Sequence, residues 1–172
     1  MNHAPLAPDD EPSLAPGRVA IVSGYFNPLH VGHVRMMAGA RALADALVVI
    51  VNNDAQQLMK VGAIVQPVEH RVEIVRALRA VDEALPAVDR DSSVNATLRV
   101  LRARFPEAAL VFAEGGDRSD PETVTELDTC RELGIQVVLG VGGRDKADAS
   151  SRINRELNRL SEAHDADADT TP

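Results

Sequence analysis

The sequence predicts an α/β domain in which helices cover both faces of a parallel sheet of about five strands. Short apolar runs alternate along the chain with segments whose apolar residues recur at helical spacing. The runs are nearly continuous in apolar character, as expected of strands that are buried on both faces. This order of strand and helix continues through most of the 172 residues, and it is the pattern that builds a parallel sheet.

Each predicted strand is an aliphatic run that a turn or a helix start follows. The first is Val19-Ala20-Ile21-Val22, and Asn27-Pro28 breaks the chain after it. The other predicted strands lie at 46–51, 83–88, 109–113 and 135–139. Predicted helices start near Val31, Asp54 (a cap), Pro67, Val94, Pro121 and Ser150, and they end near Lys60, Val81, Arg104 and Gly134 where an end is visible. Together they indicate a single Rossmann-like domain, in which ligands bind beyond the carboxyl ends of the strands.

The composition is that of one globular domain with charged tails. Residues 1–17 and 162–172 carry most of the net charge of −8, and we expect them to be disordered tails around a domain at 18–161. The near-neutral body offers no basic surface for nucleic acid or an anionic membrane. No apolar run approaches the roughly 18 residues that span a bilayer. The absence of a secretory signal and the single cysteine, Cys130, favour a cytoplasmic location.

The most informative stretch joins the first strand to the first helix. It reads Gly24-Tyr25-Phe26-Asn27-Pro28-Leu29-His30-Val31-Gly32-His33. Both histidines fall at the helix start, where unpaired N–H groups and the helix dipole attract phosphate. Imidazoles there can donate hydrogen bonds to phosphate oxygens, and Gly32 lets a bulky ligand approach the backbone. The stretch therefore indicates a phosphate-binding site.

This stretch resembles the signature of the cytidylyltransferase-like nucleotidyltransferase superfamily. Members transfer a nucleoside monophosphate from an NTP to a phosphomonoester and release pyrophosphate. The resemblance implies that His30 and His33 are catalytic residues that contact the triphosphate. It also implies that the nucleotide is bordered by Gly24, Tyr25, Phe26, Asn27 and Gly32. The likeness covers roughly residues 18 to 157 and is closest to small glycerol-phosphate cytidylyltransferases and heptose-phosphate adenylyltransferases.

Three cationic residues are expected to serve the reacting phosphates. Lys60 follows the second strand and matches a lysine that enters the active site in enzymes acting on short sugar or alcohol phosphates, so it is the third expected catalytic residue. Arg71 lies in a helix similar to one of the same enzymes, and we expect it and Lys146 to bind the acceptor. Lys60 and Lys146 are the only lysines beside 16 arginines, which hints that a compact ammonium is wanted. An ordinary surface residue is the alternative for both lysines.

Two further elements resemble nucleotide-binding parts of the superfamily. Gly115-Gly116-Asp117-Arg118 is similar to the loop that borders the nucleotide in heptose-phosphate-type members. Ser150-Ser151, at a helix start, resembles an element whose hydroxyl and N–H groups bind the β- and γ-phosphates. Ala149 stands where a further Ser or Thr is usual, so this match is imperfect. A plain helix cap is the alternative for Ser150.

The implied chemistry needs no covalent enzyme nucleophile. A phosphate oxygen of the acceptor would attack the α-phosphorus in line, and pyrophosphate would leave, so that catalysis consists of positioning and charge stabilisation. Mg²⁺ is expected on the substrate phosphates, held by the substrates and water rather than by a protein metal site. The expected partners are an NTP and a small phosphomonoester, with a homodimer left open.

The sequence leaves the nucleotide open. The stretch from Asn52 to Glu83 resembles both cytidylyl and adenylyl enzymes; CTP is slightly favoured, and ATP is the alternative. The acceptor is expected to be a small sugar or alcohol phosphate. A nucleotide-binding regulatory protein without catalysis is the alternative of a different class. A redox dinucleotide-binding protein is disfavoured, because no Gly-x-Gly-x-x-Gly follows the first strand.

Overall fold

A five-stranded, all-parallel sheet forms the centre of the molecule. The computed structural model describes residues 17–116, 120–143 and 149–168, with side chains up to residue 161. The strands are β1 (Arg18–Gly24), β2 (Ala46–Val51), β3 (Glu83–Pro86), β4 (Ala109–Gly115) and β5 (Gln136–Val141). They lie in the order β3-β2-β1-β4-β5, with every neighbouring pair parallel. The predicted sheet is confirmed, and its strand order reverses between β1 and β4.

Helices cover both faces of the sheet, as predicted. They are α1 (Val31–Arg41), α2 (Asp54–Val61), α3 (Val68–Arg76), α4 (Asn95–Arg104), α5 (Leu127–Glu132) and α6 (Ser150–Ala168), with a 3-10 turn at Pro121–Thr123. Met37 and Ala40 of α1 and Val72 and Val75 of α3 pack on one face. The other face is covered by residues of α4 and α5, namely Leu98, Leu101, Leu127 and Cys130. Consecutive strand residues feed these two cores alternately, which explains why the apolar runs are continuous.

Two helices differ from the prediction. The helix expected to run to Val81 ends at Arg76, and the apolar pattern continues because Leu78 and Val81 pack on the core from a turn. The helix expected from Pro121 to Gly134 is split into the 3-10 turn and α5. It is split because Val124 adopts an extended backbone and inserts into the core.

The cap of α2 differs from the prediction, and that of α4, which was expected at Asp91, Ser92 or Ser93, differs in part. Asn53, rather than Asp54, caps α2 by accepting a hydrogen bond from the Gln56 N–H. The carboxylate of Asp89 accepts from the N–H groups of Ala96 and Thr97 at the start of α4. Ser93, one of the expected caps of α4, accepts the Asn95 N–H at 3.3 Å. Asn53 and Asp89 lie outside the expected positions and satisfy the other exposed helix N–H groups.

The last helix is longer than expected. It reaches Ala168, whereas the sequence analysis ends the domain at residue 161 and treats 162–172 as a disordered tail. The alanines of this segment explain the difference, because Ala has the highest intrinsic helix propensity.

Helix α1 is seated against the ends of β4 and β5 by close backbone contacts. A Cβ atom on Gly142 would lie 2.6 Å from the backbone of Met36, and Gly142 has a φ of +86°. A Cβ on Gly39 would lie 2.8 Å from the Gly142 nitrogen, and one on Gly115 would lie 2.7 Å from the Met36 sulfur. These glycines fix the height of α1 above the sheet, and hence the position of its first turn.

Candidate active site

A polar cavity opens at the carboxyl ends of β1, β2 and β4. Its volume is about 440 Å³. The residues that line it are Ser23, Gly24, Tyr25, Asn52, Met59, Lys60, Ser92, Val94, Glu114, Thr125 and Glu126. The cavity lies where the strand order reverses, which is the usual position of a ligand site in a parallel α/β sheet.

The two histidines of the signature form a stacked pair at the start of α1. Their ring centroids lie 3.8 Å apart. Nδ1 of His30 accepts the Gly32 N–H at 3.1 Å, and Nδ1 of His33 accepts the His30 N–H at 3.4 Å. Because each Nδ1 is an acceptor, the proton of each neutral ring lies on Nε2. Both imidazoles can therefore present an N–H donor to a ligand.

The environment of His33 keeps its ring neutral. Burial, followed by the positive charges of His30 and Lys60, lowers the pKa of His33 to about 4. Phe26, which is buried, meets the His33 ring edge-on at 5.0 Å. Because the charges of both His30 and Lys60 act on His33, the three predicted catalytic residues lie in one cluster.

Lys60 lies on a helix and at the edge of the cavity. It occupies the last turn of α2, and its Nζ lies 3.9 Å from the centroid of the Tyr25 ring. Burial raises the pKa of the Tyr25 phenol, an effect that the charge of Arg71 reduces, so the ring is neutral and attracts the ammonium through its π face. Such a contact is worth about 0.5–1 kcal/mol at an exposed site, which is weak enough for Lys60 to exchange it for a phosphate.

The expected role of Arg71 in binding the acceptor is not supported by its surroundings. Arg71 is 1% exposed. Its guanidinium donates to the carbonyl oxygens of Gln66, Tyr25 and Asn52 and forms a 2.7 Å ion pair with Asp54. These bonds use four of its five N–H donors. Arg71 therefore holds together the ends of β1 and β2 and the start of α2 from beneath the cavity.

An amide network holds one wall of the cavity. Nε2 of Gln56 donates to the carbonyls of Asp91 and Ser93, and Nδ2 of Asn53 donates to those of Ala87 and Asp89. The start of α2 is thereby tied to the segment between β3 and α4. This segment contributes Ser92 and Val94 to the cavity.

Some of the remaining predicted nucleotide-binding residues line the cavity, and others take part in hydrogen bonds at the starts of α1 and α6. Gly24 and Tyr25 line the cavity, and Gly32 supplies the N–H that His30 accepts. The carbonyl of Asn27 accepts a 3.5 Å hydrogen bond from Asn154. Ser150 begins α6 and donates to the carbonyl of Pro28 at 3.0 Å.

The start of α6 lies beside residues 27 and 28 of the signature. The other predicted residues of α6 and of the turn after β4 differ in their surroundings. Ser151 is exposed in the first turn of α6. Gly115 packs on Met36, and Gly116 has a φ of +81° in the turn after β4. Asp117, Arg118 and Lys146 lie outside the described residues, so their expected roles stay predictions.

Two carboxylates of the cavity are not among the predicted site residues, although the stretch that resembles the nucleotide loop begins at Glu114. Glu114 stands near the end of β4, and an acidic residue that ends an apolar strand is a signal that could have found it. Glu126 is 7% exposed and accepts the Val94 N–H, and no local pattern announces this tertiary contact. Burial and both carboxylates raise the pKa of the Cys130 thiol to about 12, which disfavours the thiolate form.

The described ranges hold neither a group of metal-binding side chains nor a membrane-spanning helix. Within 17–116, 120–143 and 149–168, no three or more His, Cys, Asp or Glu residues are grouped so that they could hold a metal ion. Over the same residues, no helix combines the length and apolar character needed to cross a bilayer.

The fold and this site define a nucleotide-binding α/β domain with a histidine pair at its phosphate-binding helix. The chain belongs to the cytidylyltransferase-like nucleotidyltransferase family, whose model matches residues 21–165. It is 34% identical over 152 residues to the bifunctional protein HldE of Gluconacetobacter diazotrophicus, covering 87% of this chain. It is 37% identical over 125 residues to that of Streptomyces coelicolor, covering 72% of this chain. The chain spans 28% and 25% of the lengths of these two relatives.

A solved structure shares the fold. The lipopolysaccharide core biosynthesis protein of Thermoplasma volcanium superposes with a TM-score of 0.55 at 23% identity. The alignment covers 74% of this chain and 98% of that one. At this identity the likeness establishes the architecture alone.

Proposed function

We propose that the protein transfers a nucleoside monophosphate from an NTP to a small sugar phosphate and releases pyrophosphate. The observation that carries this proposal is the cluster of His30, His33 and Lys60 beside a polar cavity at the sheet edge. The cluster combines two imidazole N–H donors at the start of α1, where phosphate binds favourably, with the ammonium of Lys60.

The residues of this cluster would stabilise charge rather than form a bond. The acceptor's phosphate oxygen attacks the α-phosphorus, the bond to the bridging oxygen breaks, and its electron pair leaves with pyrophosphate. His30 and His33 donate their Nε2–H groups to the phosphate oxygens on which charge grows. Lys60 leaves the Tyr25 ring and places its ammonium against the α-phosphate and the acceptor phosphate. Because His33 is neutral at pH 7, it stabilises charge through its hydrogen bond and not as a general acid.

The lining of the cavity favours an acceptor that carries several hydroxyl groups. The hydroxyls of Ser23, Ser92 and Thr125 can donate or accept, and the carboxylates of Glu114 and Glu126 can accept from sugar hydroxyls. Two carboxylates in one cavity also disfavour an acceptor with a second anionic group. A phosphorylated sugar, with its phosphate toward Lys60 and its hydroxyls in the cavity, fits this arrangement.

ATP is our preferred nucleotide. The sequence alone favours CTP slightly, whereas the matches to HldE proteins support the adenylyl alternative better. The stretch from Asn52 to Glu83 is compatible with either nucleotide, so the proposal of ATP rests on these relatives.

Mg²⁺ would be bound mainly by the substrates. Oxygen ligands suit Mg²⁺, and the described part of the cluster presents imidazoles and an ammonium instead. The ion would neutralise phosphate charge when the NTP carries it into the site. The protein's own contribution is to orient the triphosphate through the histidine pair and the start of α1.

Pyrophosphate release tests the proposal directly. The purified chain is incubated with each of the four NTPs, Mg²⁺ and a panel of sugar and alcohol phosphates. We expect turnover with ATP and a sugar phosphate, and a decrease in kcat of roughly 10²–10³ for His33→Ala, the scale of losing one preorganised donor. His70→Ala is the matched control, since His70 is exposed on α3. Nucleotide binding without pyrophosphate release from any pair would favour the regulatory alternative.

A further inference from the structure

Helix α6 projects from the body of the molecule. Its described hydrogen bonds to the body lie at its start, from Ser150 to Pro28 and from Asn154 to Asn27. All residues from 155 to 161 are exposed. A helix of 19 residues that stands in water is only marginally stable by itself, because most helices draw their stability from packing one face.

This helix carries an apolar stripe, of which the first residue is partly buried and the two leucines that follow are exposed. Ile153, Leu157 and Leu160 are spaced by four and three residues, so they lie on one face. The side chains of Leu157 and Leu160 are 58% and 51% exposed. Two leucines one turn apart on a projecting helix form the core of a two-helix seam when a second helix covers them.

The charges of α6 are separated along its length, and they indicate what covers the stripe. Residues 150–159 contain three arginines and one glutamate, whereas residues 160–168 contain one glutamate, two aspartates and no Lys or Arg. Acidic residues at a helix C-terminus are unfavourable, because they meet the negative end of the helix dipole. A second helix that runs antiparallel would place its basic half and its positive end beside them, whereas a parallel partner would align like charges.

We propose that α6 pairs in antiparallel orientation with α6 of a second copy of the chain. The arrangement that places Leu157 of one copy opposite Leu160 of the other brings residue 152 level with residue 165, and 155 level with 162. In each of these two pairs, an arginine lies level with an acidic residue. Such a two-fold contact is isologous and closes on itself. Its length is at most about 28 Å, from a rise of 1.5 Å per residue, so we expect a small interface and a reversible dimer.

Sedimentation of the full 172-residue chain over a range of concentrations tests this pairing. We expect a monomer–dimer equilibrium with a dissociation constant in the micromolar range. Leu157→Lys should weaken the dimer at least about 100-fold, because one leucine from each copy loses its burial. Val100→Lys is the matched control, since Val100 is 51% exposed on α4 and lies outside the stripe. A wild-type monomer up to millimolar concentration, or an equally stable Leu157→Lys dimer, would overturn the proposal.

Disulfide trapping tests the orientation. Leu157→Cys and Leu160→Cys chains are oxidised separately and as a mixture. An antiparallel pair should give the mixed 157–160 disulfide in excess over both self-linked dimers, whereas a parallel pair should give self-linked dimers alone. Cys130 is buried with a raised thiol pKa, so it does not compete. Self-linked dimers in excess would refute the antiparallel arrangement.

Discussion

Replacing Arg71 with Met should destabilise the fold strongly. The guanidinium is fully buried, and it supplies bonds to the carbonyls of Gln66, Tyr25 and Asn52 as well as to the Asp54 carboxylate. A hydrogen bond to a charged group is worth about 1.5–3 kcal/mol, and a buried acceptor left without a donor costs about 1–3 kcal/mol. Relaxation and water entry recover part of this sum. We therefore expect the free energy of unfolding to fall by about 3–5 kcal/mol, the range for breaking a buried ion pair.

Urea denaturation, followed by circular dichroism, measures this change. Arg76→Met is the matched control on the same helix, because Arg76 is exposed and makes one described bond, to the Ala84 carbonyl; we expect it to cost about 1 kcal/mol. Arg71→Lys should remain close to Met in stability, since an ammonium cannot reproduce the planar fork. If Arg71→Met unfolds within about 1 kcal/mol of the wild type while the KM for the phosphomonoester rises, Arg71 is an acceptor ligand and the positioning role is wrong.

Two further predictions concern His33 and the seating of α1. Since His33 has a folded pKa of about 4 against 6.5 when unfolded, only the unfolded chain gains this proton as the pH falls below 6.5, and stability should fall by about 2 kcal/mol between pH 6.5 and 5. His33→Gln should flatten this slope in urea titrations, and an unchanged slope would contradict the low pKa. Gly142→Ala should cost at least about 2 kcal/mol more than Gly140→Ala in the same assay, because both have positive φ but only Gly142 faces a backbone contact; equal losses would show that α1 is not held there.

The sheet could be predicted because its determinants are local. Each of the five strands is an aliphatic run, and burial on both faces makes that run continuous. Helix ends were harder to predict, because the packing of Leu78 and Val124 against the core overrides the helical pattern. The caps Asn53 and Asp89 could not be predicted for a related reason, since the choice between neighbouring polar residues depends on tertiary contacts.

The histidine pair could be predicted in position but not in detail. A strand, a turn and a helix start in direct succession bring His30 and His33 to the sheet edge without any distant contact. The role of Arg71 could not be read in the same way, because three of its partners are carbonyl groups and any residue type supplies a carbonyl. The place of Glu126 in the cavity could not be predicted, because its contact with Val94 joins residues 32 positions apart in the sequence.

The position of Arg71 constrains how this site can handle two phosphorylated substrates. Its guanidinium donates to the carbonyl of Tyr25, and the ring of Tyr25 contacts the ammonium of Lys60. The charge of Arg71 therefore stabilises the surroundings of the cavity. In the proposed mechanism, the charge on this side of the site that would serve the reacting phosphates is that of Lys60, which is exposed. In the proposed mechanism, the neutral ring of His33 would offer the first substrate an N–H donor and add no further positive charge. In the proposed transfer, a buried cation thus supports an exposed one, and Lys60 would place its ammonium against the α-phosphate as charge develops there.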